Sequence, residues 1–229
     1  MNRPIFTTRS FVPGLVAIAI ALAACSPPVS SVSNAQENSR ATKAGIPVPD
    51  ESDIPETASV ATFAGGCFWC VEETFMQHEG VIAVISGYAT GKKETADYKL
   101  VSAGKTKHSE AVQVHYDPKK VSFEQLVDHF WKLHDPTTLN YQGNDHGPQY
   151  RSGIYYKTEA EKKTAQASMA KLNKSGKYKT KAVTEIVPFT TFFPAEDYHQ
   201  NYYRRNPDDR YCLGVLVPKL RKLGMKVID

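Results

Sequence analysis

Apolar and polar positions along this chain switch between two periods, and each switch marks an element. A short apolar run from Val60 to Phe63, ending at Gly65-Gly66, predicts a buried strand and a turn. Phe68, Val71 and Phe75 then recur at helical spacing, predicting a helix that begins at Cys67. "VIAVISGYA" from Val81 reads as a second strand, and strict alternation in "EAVQVHY", 110–116, marks a half-buried third. Asp117-Pro118 turns the chain. Ser122 with Gln125 forms a capping box for a helix whose apolar face is Leu126, Val127, Phe130 and Leu133, and Asp135-Pro136 ends it. After a loop over 137–149, "YRSGIYYKT" predicts a strand, and Thr158 with Glu161 starts a helix reaching about Asn173. "AVTEIVPF" is a further strand and "AEDYHQNYYRR" a short helix. The first six elements run β-α-β-β-α-β, the ferredoxin-like split order. The expected fold is an α+β two-layer sandwich with that core and C-terminal additions.

Ahead of the first strand the pattern is different. Arg3 and Arg9 precede an almost wholly apolar run of 14 residues, Phe11 to Ala24. A helix needs roughly 20 residues to span the hydrocarbon core, so an export signal fits better than a membrane-spanning anchor. The signal ends in Leu22-Ala23-Ala24-Cys25, which resembles the bacterial lipobox and implies acylation of Cys25. Residues 26–57 are rich in Ser, Pro and Ala and hold no aromatic, so they read as a tether. The expected organisation is a lipoprotein signal over 1–24, an acylated cysteine and disordered tether over 25–57, and one domain over 58–229. That places the protein on the periplasmic side of a bacterial envelope, membrane-anchored through its lipid alone.

Charge changes this picture little. The chain carries 28 Lys and Arg against 24 Asp and Glu. The basic stretches "KYKTK" at 177–181 and "YYRR" at 202–205 belong to no nucleic-acid motif, so they read as solvated surface and no nucleic acid is expected as a partner.

Cysteine changes it more. With Cys25 spent on lipid, Cys67, Cys70 and Cys212 remain. Outside the cytosol an even number suggests a disulfide framework, whereas three suggest a thiol that reacts. Zinc is disfavoured: Cys67 and Cys70 lack a second matching pair, and the seven histidines show no H-x₃-H spacing. No metal is expected. Simple packing of two small hydrophobes fits poorly behind Gly-Gly at a strand-to-helix turn. That turn predicts a thiolate at Cys67 stabilised by helix N–H groups, with Cys70 one turn on and close enough for a disulfide. A thioredoxin-like exchanger has the same needs, but normally carries its tryptophan before the motif. Here Trp69 lies inside it.

"GCFWC" at 66–70, "HSEAV" at 108–112, "GNDHGPQYRS" at 143–152 and "AEDYHQNY" at 195–202, in this order, resemble peptide methionine sulfoxide reductases of the A type. The resemblance implies thiol-dependent reduction of methionine-S-sulfoxide, free and in proteins, with repair of oxidised exported proteins as the role. It implies Cys67 as nucleophile, oxidised to a sulfenic acid, and Glu110 as proton donor. Tyr98 and Tyr150 would hydrogen-bond the sulfoxide oxygen, Asp145 would fix the pocket and its water, and Phe68 and Trp69 would receive the S-methyl group. To act as an acid near neutrality, Glu110 needs a carboxyl raised by burial. The resemblance further implies a monomer without cofactor, reset by a thioredoxin-like dithiol.

Two departures stand out. Cys70 occupies a position where many members have Gly, and the tail "LGVLVPKLRKLG" lacks their glycine-rich segment. Either Cys212 or Cys70 resolves the sulfenic acid; Cys212 is favoured because it follows Tyr211 as in the family. The alternative function is an extracytoplasmic thiol–disulfide oxidoreductase using Cys67 and Cys70, which would not need an acid at Glu110. A lipoprotein that only binds partners, its cysteines a staple, is the third possibility.

Overall fold

A computed structural model describes Ser52 and residues 54–228. The signal over 1–24, Cys25 and nearly all of the tether lie outside the described residues.

The elements are β1 (Ser59–Gly65), α1 (Phe68–Met76), β2 (Val81–Ala89), α2 (Tyr98–Ser102), β3 (Ser109–Tyr116) and α3 (Phe123–Leu133). They continue with β4 (Tyr141–Gln142), β5 (Asp145–His146), β6 (Ser152–Tyr156), α4 (Glu159–Lys174), β7 (Glu185–Pro188), β8 (Phe192–Pro194), α5 (Tyr202–Arg205) and α6 (Val217–Lys222). Six strands form one sheet in the order β7-β6-β1-β3-β2-β8. β1 pairs antiparallel with β3 and with β6, and β3 pairs antiparallel with β2, so β1 and β2 run parallel on either side of β3. That is the expected split β-α-β-β-α-β core. The additions widen both edges: β7 joins β6 in parallel and β8 joins β2 antiparallel.

The helices cover one face, where the main core lies. Phe63 of β1 is fully buried, and its ring stacks on Phe75 of α1 and Phe130 of α3 with centroids 5.1 Å away in each case. Such pairs contribute about 0.5–1.5 kcal/mol each beyond the area they bury. They pin both helices to the central strand. The other face carries a small cluster of Ala64, Ala89, Ala111 and Tyr155, with Phe189 and Phe192 laid against it. The α3 start holds as expected: Ser122 Oγ accepts from Gln125 N at 3.2 Å and Gln125 Oε1 accepts from Ser122 N at 2.8 Å.

Three segments differ from their sequence-based description. The loop over 137–149 contains the β4–β5 hairpin and a 3₁₀ turn, Pro148–Tyr150; two-residue strands are too short to leave an alternation. "AEDYHQNYYRR" is not one helix but a 3₁₀ turn, Asp197–His199, and α5, separated by Asn201 in the left-handed region at φ 53°. The break is stabilised from outside, because Glu72 accepts from the backbone N–H groups of Asn201 and Tyr202. The tail runs as a π-helical turn, Cys212–Leu216, directly into α6.

Gly65-Gly66 earns its place by space and dihedral. A side chain at Gly65 would press within 3.1 Å of the Phe130 ring, and Gly66 has φ +93° with Gln142 carbons 2.8 Å from where a Cβ would sit. Gly66→Ala is expected to cost about 1–3 kcal/mol of folding stability. Urea denaturation measures this, and a wild-type midpoint would contradict the constraint.

Candidate active site

The β1-to-α1 turn ends at Cys67, which occupies the N-cap of α1 without a side-chain cap. The next amide, Phe68 N–H, donates to Glu110 Oε2 at 3.1 Å. Glu110 comes from β3, opposite Tyr88 of β2, and is 2% exposed. One hydrogen bond therefore joins the acid on the strand to the helix end that carries the thiol. Cys67, Phe68, Trp69, Tyr98, Glu110, Asp145, Tyr150 and Tyr211 line one cleft of about 150 Å³. Every residue expected at the reacting centre is in that cleft. Cys70 and Cys212 are not among its lining residues.

Burial pushes the Glu110 carboxyl up to about 8, with the negative groups Asp145 and Cys70 adding to the rise and the Phe68 N–H opposing it. A carboxyl near 8 is mostly protonated at neutral pH and can donate. Burial also pushes the Tyr98 hydroxyl up to about 12, and Tyr150 upward as well, so both face the cleft as neutral donors.

The thiols depart from expectation. Cys67, Cys70 and Cys212 are all free and buried. Burial and the adjacent Cys70 raise Cys67 well above the ordinary thiol range. Cys70 is lowered to about 7, chiefly because its sulfur is hydrogen-bonded to Cys67, with the Lys219 charge contributing. The helix N-terminus gives the Phe68 N–H to a carboxyl, and the Cys70 and Val71 amides turn back to Cys67 O. Of the two, Cys70 is therefore the more readily ionised. Cys212, fully buried, is pushed up to about 12 by that burial.

Sequence reasoning missed the supports of the cleft. Tyr211 OH donates to Asp145 Oδ2 at 2.6 Å and lies 4.0 Å from Cys70 Sγ, which closes the cleft on the side of the C-terminal segment. Trp69 Nε1 donates to His199 Nδ1 at 3.2 Å, and the Tyr202 ring stacks on the indole at 3.7 Å and 8°. Burial lowers His199, consistent with a neutral ring that accepts. Glu196 accepts from Tyr98 N at 3.0 Å and from Tyr88 OH at 2.7 Å, which seats α2 beside the cleft. Glu196, His199 and Tyr202 come from the "AEDYHQNY" segment, whose density of polar and aromatic groups was its signal, whereas Tyr211 lies beyond it. Among the described residues no cluster of three or more His, Cys, Asp or Glu is placed to hold a metal ion.

Residues 59–228 match the family described as "Peptide methionine sulfoxide reductase". A relative from Rhodopirellula baltica, "Peptide methionine sulfoxide reductase MsrA 1", is 49% identical over 187 residues, covering 80% of this chain and 96% of the relative. "Peptide methionine sulfoxide reductase MsrA" of Acinetobacter baumannii is 49% identical over 166 residues, covering 72% of this chain and 94% of the relative. Among solved structures, reduced Mxr1 from Saccharomyces cerevisiae superposes with a TM-score of 0.64 at 35% identity, over 69% of this chain and 91% of that one. Methionine sulfoxide reductase A of Corynebacterium diphtheriae gives 0.61 at 30% identity, over 73% and 82%.

The raised carboxyl has a consequence for stability. An unfolded glutamate releases its proton near pH ~4.3, whereas folded Glu110 holds its proton to about 8, so folding loses stability as pH rises between those values. Glu110→Gln removes that slope. Its melting temperature relative to wild type is expected to rise from pH 5 to pH 9, and a pH-independent difference would contradict the buried, neutral acid.

Proposed function

The chain belongs to the peptide methionine sulfoxide reductase family, and on that premise we propose that its cleft reduces methionine-S-sulfoxide, free and in proteins, to methionine. The observation that carries the reading is the buried Glu110 carboxyl, up at about 8 and bonded to the amide next to Cys67.

In this reading the sulfoxide methyl group lies against Phe68 and Trp69, and its oxygen accepts from Glu110, Tyr98 and Tyr150. Glu110 transfers its proton to that oxygen, which makes the sulfur electrophilic. Cys67 attacks that sulfur while the Cys70 thiolate takes its proton; an S–S bond forms, the S–O bond breaks as the hydroxyl passes to the Cys67 sulfur, and the S–S bond then opens. The substrate gains two electrons and leaves as methionine; Cys67 loses two and becomes a sulfenic acid. Carboxylate Glu110 is then ready to recover a proton from solvent.

Cys70 is the better resolving thiol. It lies one turn along α1 from Cys67 and is lowered to about 7, whereas Cys212 is raised to about 12. Condensation of Cys70–SH with Cys67–SOH forms the disulfide and releases water. A thioredoxin-like dithiol then restores both thiols and is itself oxidised to a disulfide. Export and membrane anchoring through acylated Cys25 complete the proposal, with oxidised exported proteins as substrates and a monomer as the working form. The opposite shifts of Cys67 and Cys70 also suit the second reading, a thiol–disulfide oxidoreductase.

The two readings part on Glu110. With racemic N-acetylmethionine sulfoxide and dithiothreitol, followed by chiral chromatography, only the S epimer is expected to disappear, and Cys67→Ser should abolish its loss. Glu110→Gln should lower kcat/KM by about 10²–10⁴. Full activity of that variant, alongside reduction of a disulfide substrate, would favour the exchanger. For resolution, one turnover without reductant should leave a Cys67–Cys70 disulfide in Cys212→Ser and a persistent sulfenic acid in Cys70→Ser. Peptide mapping that finds Cys67 bridged first to Cys212 would overturn the assignment of Cys70.

A further inference from the structure

Glu72 lies on the same helix as Cys67, is 2% exposed, and is not among the residues lining the cleft. Its Oε1 accepts from Ser86 Oγ at 3.1 Å and from Asn201 N at 2.9 Å, and its Oε2 accepts from Tyr202 N at 3.3 Å. Those two amides form the left-handed turn at Asn201. Asparagine tolerates this conformation better than other non-glycine residues, and here the Glu72 carboxyl bonds the amides on both sides of its Cα. Immediately before the turn, His199 Nδ1 accepts from Trp69 Nε1; immediately after it, Tyr202 stacks on the same indole. One buried carboxyl thus fixes the bend between the two groups that hold Trp69.

We propose that Glu72 is a positioning residue for the sulfoxide site, acting through the Asn201 turn to seat His199 and Tyr202 against Trp69 and so to set the wall that receives the substrate methyl group. The proposal rests on the reading in which Trp69 forms that wall. The bond from Arg204 Nε to Glu73 Oε2 at 2.8 Å ties α1 to α5, and the Gln200 side chain is bonded to the Ser86 backbone, so removing Glu72 loosens the Asn201 amides without detaching the segment. Both Glu72 oxygens accept backbone N–H groups, so glutamine keeps the shape and the bond to Asn201 N–H but sets its amide nitrogen against the Tyr202 N–H.

The test uses a Trp131→Phe background, since Trp69 and Trp131 are the two tryptophans. Glu72→Ala is expected to red-shift Trp69 emission and raise KM for N-acetylmethionine-S-sulfoxide about tenfold, with kcat changed by less than about threefold. Glu72→Gln, which keeps one accepting oxygen, should recover both readouts in part. Tyr202→Leu should raise KM similarly, and adding Glu72→Ala to it should raise KM no further. Where Glu72→Ala does not fold, Glu72→Asp takes its place, with the same direction of change expected. Unaltered emission and KM, with only a lower melting temperature, would reduce Glu72 to a structural role and overturn the proposal; so would multiplicative effects of the two substitutions. A background protein that leaves both sulfoxide epimers untouched would count against the proposed function instead, and the Trp69 emission would still decide whether Glu72 sets the indole.

Discussion

The hydrogen bond from Phe68 N–H to Glu110 Oε2 joins the two halves of the site, and much else in the fold serves to keep it dry. It spans β3 and the N-terminus of α1, and neither partner has another route to the correct place. β1 and β3 pair in register from Ser59 to Phe63, which delivers the glycine turn and Cys67 next to the strand bearing Glu110. The Phe63, Phe75 and Phe130 stack then fixes the tilt of α1 over that pair. In water Glu110 would be an ordinary carboxylate. Removal of solvent converts it into an acid that holds its proton through neutrality, and the single amide donor is too weak a partner to reverse this.

That placement has a cost for the thiols. A helix N-terminus normally stabilises a sulfur anion, but here the first amide serves the carboxyl, and the two groups lie close enough that both cannot easily be charged. The pair Cys67 and Cys70 is pushed in opposite directions: burial holds Cys67 up, while its neighbour Cys67 and the Lys219 charge bring Cys70 down. An acid that stays protonated and a nucleophile that ionises only as it attacks are thus two results of one buried arrangement. The aromatic supports follow the same logic. Trp69 is buttressed by His199 and Tyr202, and Tyr211 by Asp145, so the apolar wall and the polar end of the cleft are each held from behind.

Much of this was legible in the residues. Period-two alternation in "EAVQVHY", the Ser122–Gln125 box and the Gly65-Gly66 turn announced β3, α3 and the start of α1, and their order gave the split core. Seven expected residues, Cys67, Phe68, Trp69, Tyr98, Glu110, Asp145 and Tyr150, converge on one cleft, six of them from three of the quoted motifs. What escaped depends on contacts between distant segments. Asn201 in "HQNYY" is a residue that tolerates the left-handed region, but which turn it breaks is fixed by a carboxyl 129 residues away in sequence. The β4–β5 hairpin is too short for a pattern, and the direction of the Cys67 and Cys70 shifts depends on burial and on Lys219, which no spacing reveals. Cys212 looked the better resolving thiol by its neighbours in sequence, whereas the opposite shifts of Cys70 and Cys212 favour Cys70.

The most direct test of the account is the titration of Glu110 itself. Carbon-13 labelling of the glutamate side-chain carboxyl, assigned by loss of the signal in Glu110→Gln, follows its protonation from pH 4 to pH 10. A midpoint near 8 is the expected result. A midpoint near the ordinary ~4.3 of an exposed glutamate would mean that Glu110 is a carboxylate at neutral pH and cannot be the acid on which the site depends.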